Sequence, residues 1–262
     1  MPPCVGPVVA WGILANAAAT GLAAAAYAAA AVAAQLRQRR IGHGTSAAPL
    51  LFATIAVYLA VASLRQVAAW RSGSDAEWVD VDRTLYLVVI LPAAFVIVPH
   101  VHLVSMVLWG RPRRSQALAL AFLAVVAVGL AFAYIGGITG PVTSAYGSDW
   151  SLNSPVTKVL LLVAIMLPGL VGSGALVVLA KRLDPAGRRR VRLIGWSTLV
   201  YFGVFTADAF GLAGIPLLLA RLATAATGVV AWAAYQQAAG PVVYEPPPED
   251  PKDAVYERKP GR

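Results

Sequence analysis

The chain has 262 residues, 59% of them hydrophobic and 13% charged, with a net charge of +9 and a mean hydropathy of +0.70. Apolar content this high exceeds what the core of a soluble domain needs and points to a membrane protein. The positive charge does not indicate a nucleic-acid partner, because the bases lie in short loops beside long apolar runs.

Seven apolar stretches approach or exceed the roughly 20 residues that a helix needs to cross about 30 Å of hydrocarbon. Span 1, Val8 to Gln35, lacks a basic leader and is too long for the apolar core of a signal peptide, so it is expected to remain as a transmembrane helix. Asn16, Thr20 and Tyr27 stand at i, i+4 and i+11 on it, near one face that should look inward. They serve either as interhelical hydrogen-bonding groups or, at Asn16, as a ligand contact. Cys4 is the single cysteine, which excludes an intrachain disulfide and a multi-thiolate metal site. Arg37, Arg39 and Arg40 follow the span.

Span 2, Leu50 to Trp70, carries Arg65 about 1.5 turns before its end. The next loop holds Asp75, Glu77, Asp80 and Asp82 against Arg71 and Arg83. Span 3, Leu85 to Trp109, contains "VIVPHVHLVSMVLWG", with Pro99 as a kink site. His100 and His102 are two residues apart and point about 200° away from each other on a helix, so they do not converge on one metal. One of them faces the interior: His100 is either a proton-linked group or a packing histidine. Arg111, Arg113 and Arg114 come next.

Span 4, Ala117 to Ile138, leads into "GPVTSAYGSDWSLNSP", which has no base. Span 5, Val156 to Ala180, has Lys158 near its start and "PGLVGSGALVVLA" further on. There, Pro168, Gly169, Gly172 and Gly174 permit a kink and close backbone approach. Lys181, Arg182, Arg188, Arg189, Arg190 and Arg192 separate it from span 6, Leu193 to Phe210, whose last turn holds Asp208. Span 7, Ile215 to Ala238, places Arg221 about 9 Å from its start.

The three arginine- and lysine-rich loops should be cytoplasmic and the acidic or base-free loops outside, so the N-terminus is expected outside and the C-terminus inside. The fold class is then an all-α membrane protein, a seven-transmembrane-helix bundle over residues 1–240 in a bacterial inner membrane. Short loops make consecutive helices antiparallel neighbours. Residues 241–262, rich in proline and charge, read as a disordered cytoplasmic tail.

By depth, Arg65, Lys158, Asp208 and Arg221 all fall in the outer half. Asp208 and Arg221 lie on consecutive antiparallel helices and can form an ion pair. Three bases against one acid leave a positive excess suited to a carboxylate, a phosphate or another anion. The bland alternative is a structural ion pair with Arg65 and Lys158 reaching toward the interface. No HExxH motif, nucleophile elbow, phosphate loop or metal-spaced cluster occurs, so neither enzymatic activity nor a cofactor is expected. A retinal protein needs a lysine in the seventh helix, where this chain offers only Arg221.

The third span, "LPAAFVIVPHVHLVSMVLWGRPRR", and the basic start of the sixth, "RRRVRLIGWSTLVYFGVFTADAFG", resemble the N-terminal sensor region of bacterial seven-helix membrane histidine kinases and diguanylate cyclases. The likeness runs from about span 2 to span 7 and consists mostly of hydrophobic periodicity with basic loops. Those proteins continue into a kinase, PAS or cyclase domain, whereas here a short tail follows span 7. The resemblance therefore implies a sensor that binds a small, anionic ligand in its outer half, through Arg65, Asp208 and Arg221. Its signal would leave through a separate cytoplasmic or membrane partner. A small-solute or ion transporter using the same charges, and a structural subunit of a membrane complex, are the alternatives.

Overall fold

The structure, a computed structural model, describes residues 7–41, 47–72, 77–144, 146–183, 185–209 and 214–236. Cys4 and the tail from 241 to 262 lie outside the described residues. The described elements are α1 (Pro7–Ile41), α2 (Ala47–Ser72), α3 (Glu77–Phe95), α4 (Ile97–Trp109), α5 (Pro112–Gly136), a hairpin of β1 (Ile138–Ser144) and β2 (Gly147–Leu152), α6 (Pro155–Leu179), α7 (Pro185–Ala209) and α8 (Gly214–Gln236). Six rods are long and apolar enough to cross a membrane: Trp11–Arg39, Ala47–Ser72, Glu77–Trp109, Pro112–Gly136, Pro155–Arg182 and Gly214–Gln236. These rods make the chain a mainly helical, multi-pass membrane protein. The remaining rod, α7, is less apolar because it carries Arg188, Arg189, Arg190 and Arg192 in its first turns and Asp208 near its end.

Consecutive rods pack against each other, and α8 closes the ring onto α1. Leu22, Val32, Val163, Val171, Val178 and Leu219 are more than half exposed on the outside of the ring, as an apolar solvent would require. One end gathers the arginine-rich connections; the other, the hairpin end, holds the end of α2 and the start of α3, the hairpin, and the junction of α7 with α8.

The third span departs from a single helix starting at Leu85. It begins eight residues earlier, at Glu77, so Asp80 and Asp82 belong to the first turns of α3 and not to a loop. Carboxylates are favoured there by the partial positive charge of the helix N-terminus. The rod breaks at Val96, between α3 and α4. Pro99 explains the place: its ring collides with the carbonyl four residues back, at Phe95, and it supplies no N–H to that carbonyl.

The base-free segment after α5 is a second departure. Ile138 pairs with Leu152 and Ser144 with Gly147 in an antiparallel ladder with an irregularity between Thr139 and Val142.

The glycines of α6 act as contact points at two of three positions. A Cβ on Gly169 would come within 2.4 Å of the Phe202 ring, and one on Gly172 within 2.9 Å of His100 Nε2, whereas Gly174 has open space beside it. Phe202 and His100 are completely buried, so neither ring has room to retreat. Gly169→Ala is expected to lower stability by about 1–3 kcal/mol through overpacking. Thermal unfolding in detergent reads this, with Phe202→Leu in the same chain recovering part of the loss. An unchanged transition in Gly169→Ala would show that α6 and α7 are not in close contact.

Candidate functional site

The hairpin end holds a cavity of about 440 Å³. Its walls come from α1, α2, α3, α6, α7 and α8, with the hairpin over it, and they include Asn16, Arg65, Lys158, Asp208 and Arg221. The five ligand-binding candidates from the sequence therefore share one cavity. Sequence spacing alone could place them at a common depth, but the ring closure of α8 onto α1 is what turns them toward one another.

Arg221, buried on α8, donates through Nη2 to Asp208 Oδ2 on α7, and the Tyr58 side chain on α2 lines the same cavity. The Asp208 side chain is 27% exposed toward the cavity, against 8% for Arg221. Arg65 does not snorkel to an interface. Its Nε lies 3.3 Å from Asp82 Oδ1, its Nη2 donates to the Ser148 carbonyl, and its guanidinium stands 5.1 Å over the Tyr86 ring. Asp82 in turn accepts from Ser148 Oγ at 2.9 Å and from Trp150 Nε1 at 2.8 Å. This carboxylate, 1% exposed, joins α2, α3 and β2.

Two further bonds hold the hairpin down. Asn16 Nδ2 donates to the Tyr146 carbonyl at 2.9 Å, and the Ser148 amide donates to Gln66 Oε1 at 3.3 Å. Asn16 thus anchors the cover as well as lining the cavity. Lys158 sits one turn into α6, where Ser154 caps the helix by accepting from the Thr157 amide at 3.2 Å, and it is exposed.

Asp149 on β2 lies 3.6 Å from Arg65, with 73% of its side chain exposed at the cavity mouth. Partial dehydration by the surrounding protein pushes its carboxyl above the ordinary value of 3.8, an effect limited by the exposure of the side chain; Asp208 adds to it, and Arg65, the Trp150 amide and Lys158 oppose it. A carboxyl that protonates more readily folded than unfolded stabilises the fold below the unfolded value, and that contribution is lost as pH rises through the folded one. Asp149→Asn should therefore flatten the decline of thermal stability as pH rises from 3.8. A variant that keeps the full decline would assign it to other groups.

The charge count differs from the sequence expectation. Asp82 and Asp149 join Asp208, so three carboxylates stand with Arg65, Lys158 and Arg221. The expected positive excess is absent among the described residues. Asp82 carried a usable signal, since Asp82, Tyr86, Val89 and Ala93 follow helical spacing into the apolar run. Ser148, Asp149 and Trp150 carried none, because the segment read as an open loop.

Of the remaining candidates, Thr20 also lines the cavity and the others lie elsewhere. Thr20 and Tyr27 face inward as expected, Thr20 bonding the Asn16 carbonyl at 2.8 Å and Tyr27 Oη the Ser197 carbonyl at 3.3 Å. His100 is completely buried, 3.4 Å from Ser173 Oγ and packed on Phe202 with ring centroids 4.9 Å apart. These are the surroundings of a packing histidine. His102 points elsewhere, its Nδ1 3.0 Å from Ser115 Oγ. Among the described residues no group of His, Cys, Asp and Glu has the geometry of a metal site.

Beneath the cavity the bundle is filled by rings. Tyr58 and Phe205 meet at 5.7 Å, Tyr58 and Tyr201 at 6.2 Å, Tyr201 and Tyr27 at 6.2 Å, Tyr27 and Phe52 at 6.0 Å, and Phe52 and Tyr235 at 6.0 Å. These contacts form a continuous column from the cavity floor toward the basic end.

No protein-family model, curated protein or solved structure matches this chain.

Proposed function

We propose that all seven rods cross the cell membrane, with the hairpin end and N-terminus outside and the basic end and C-terminus inside. In this reading the chain is a receptor-like sensor. A small polar ligand enters the outer cavity, and the resulting change reaches a separate cytoplasmic or membrane partner at the basic end.

The observation that carries the reading is the blind end of the cavity. A permeation route needs polar groups along its length, whereas below Tyr58 and Phe205 the interior is occupied by Tyr201, Phe202, Tyr27 and Phe52, each at most 2% exposed. A packed column suits transmission better than passage, because tightly packed rings shift between discrete arrangements and do not yield smoothly. The Tyr201 hydroxyl is buried without a hydrogen-bond partner among the described residues, so an arrangement that satisfied it would be competitive with this one. The three bases beside the cavity remain the electrostatic attraction for a ligand's anionic group, tempered by the three carboxylates.

Crosslinking in native membranes, followed by mass spectrometry of what is joined to the Arg188 to Arg192 segment, tests the proposal. A kinase, cyclase or other regulator at that segment is the expected result. Recovery of the protein alone, together with solute flux in liposomes that Asp208 or Arg221 variants abolish, would replace the sensor by a transporter.

A further inference from the structure

The charges around the cavity fall into two groups by how fully they are engaged. Arg65 with Asp82, and Arg221 with Asp208, form close pairs whose arginines are at most 10% exposed. Lys158 and Asp149 are different. Both are exposed on the cavity wall; Lys158 makes no ion pair with a described residue, and Asp149, whose Oδ1 accepts from the Trp150 amide at 2.9 Å, makes only a longer ion pair of 3.6 Å with Arg65, leaving 73% of its side chain exposed.

Two of the lining residues also have polar atoms that are sealed from the cavity and without partners. Asn16 Oδ1 and Arg221 Nε are buried and make no hydrogen bond among the described residues, one an acceptor and the other a donor. Tyr58, Tyr86 and Phe205 supply an apolar surface between them.

Resting on the reading of this cavity as a ligand site, we propose that its ligand is a small zwitterion with a large apolar group, of the amino-acid type. The carboxylate is received on the side of Lys158 and Arg221, the ammonium on the side of Asp149, and the apolar group against Tyr58, Tyr86 and Phe205. Charge balance decides the class. A lone anion entering the cavity meets Asp149 and Asp208, and a lone cation meets Lys158, Arg65 and Arg221. Each would bring one uncompensated charge into a partly dehydrated space, whereas a zwitterion answers both signs. The volume of about 440 Å³ lies within the ordinary range for small-molecule sites.

The test uses the full chain in nanodiscs and three probes read by calorimetry: L-phenylalanine, phenethylamine, which lacks the carboxylate, and 3-phenylpropionate, which lacks the amine. L-phenylalanine should bind at least about ten-fold more tightly than either truncated probe. Lys158→Ala should weaken L-phenylalanine and 3-phenylpropionate but not phenethylamine, with Lys158→Arg restoring both. Asp149→Asn should weaken L-phenylalanine and phenethylamine only. Equal binding of 3-phenylpropionate and L-phenylalanine, unaffected by Asp149→Asn, would overturn the zwitterion in favour of a simple anion. Failure of all three probes to bind would overturn it as well. The cavity reading is checked separately with Leu162→Cys in a Cys4→Ser chain. Labelling by a membrane-impermeant maleimide from outside shows an open cavity whatever its ligand, and absence of labelling removes the cavity reading itself.

Discussion

Asp82→Ala is expected to destabilise the hairpin end strongly. The Asp82 carboxylate has three partners: the Arg65 guanidinium, Ser148 Oγ and Trp150 Nε1. Removing it leaves a buried guanidinium with only the exposed Asp149 and a backbone carbonyl, and breaking a buried pair from one side costs about 3–5 kcal/mol. Asp82→Asn retains an acceptor for the indole and the hydroxyl and should lose less. The damage should be local before it is global, because the hairpin also depends on Asn16 and Gln66. We expect a lower unfolding temperature, a red-shifted contribution from Trp150 and new protease cleavage within residues 138–152. A variant that melts with the parent and keeps the hairpin protected would show that Asp82 does not join these elements.

Arg221 and Asp208 should respond asymmetrically. Asp208→Leu strands a guanidinium that is 8% exposed and should cost about 3–5 kcal/mol. Arg221→Met leaves Asp208, which is 27% exposed and can be hydrated from the cavity, so a smaller loss is expected. The double variant Asp208→Leu with Arg221→Met should recover toward the parent, since two apolar side chains replace a buried pair at little net cost. Unfolding of the four proteins in detergent gives the coupling directly. Equal losses in the two single variants, adding in the double, would mean that the pair is solvated and contributes little.

The same four proteins bear on function through ligand binding. The double variant is expected to fold and yet fail in the outer cavity, because both side chains line it. Stability and response then separate in one experiment.

Much of the architecture was legible in the sequence because hydrophobicity is additive along a chain. An apolar run of about 20 residues has few alternatives to a membrane helix whatever surrounds it. The inward face of Asn16, Thr20 and Tyr27, the divergence of His100 from His102, and the pairing of Asp208 with Arg221 follow likewise from helical geometry within or between adjacent segments. The candidates Arg65, Lys158, Asn16, Asp208 and Arg221 were found because a charge or amide in apolar surroundings stands out.

Tertiary structure decided what those residues meet. Asp82 lies on an early turn of α3, and its partners come from α2 and from a hairpin 66 and 68 residues further on. Local pattern carries no information about such distant contacts, and the base-free segment after α5 has no strand alternation strong enough to reveal a ladder. The sign of the cavity followed the same route. Charge could be counted along the chain, but Asp82 entered the count through the early start of α3 at Glu77, and Asp149 only when the hairpin folded over the ends of α2 and α3. The gathering of charge at one end was therefore set by composition and depth, and its balance by long-range packing.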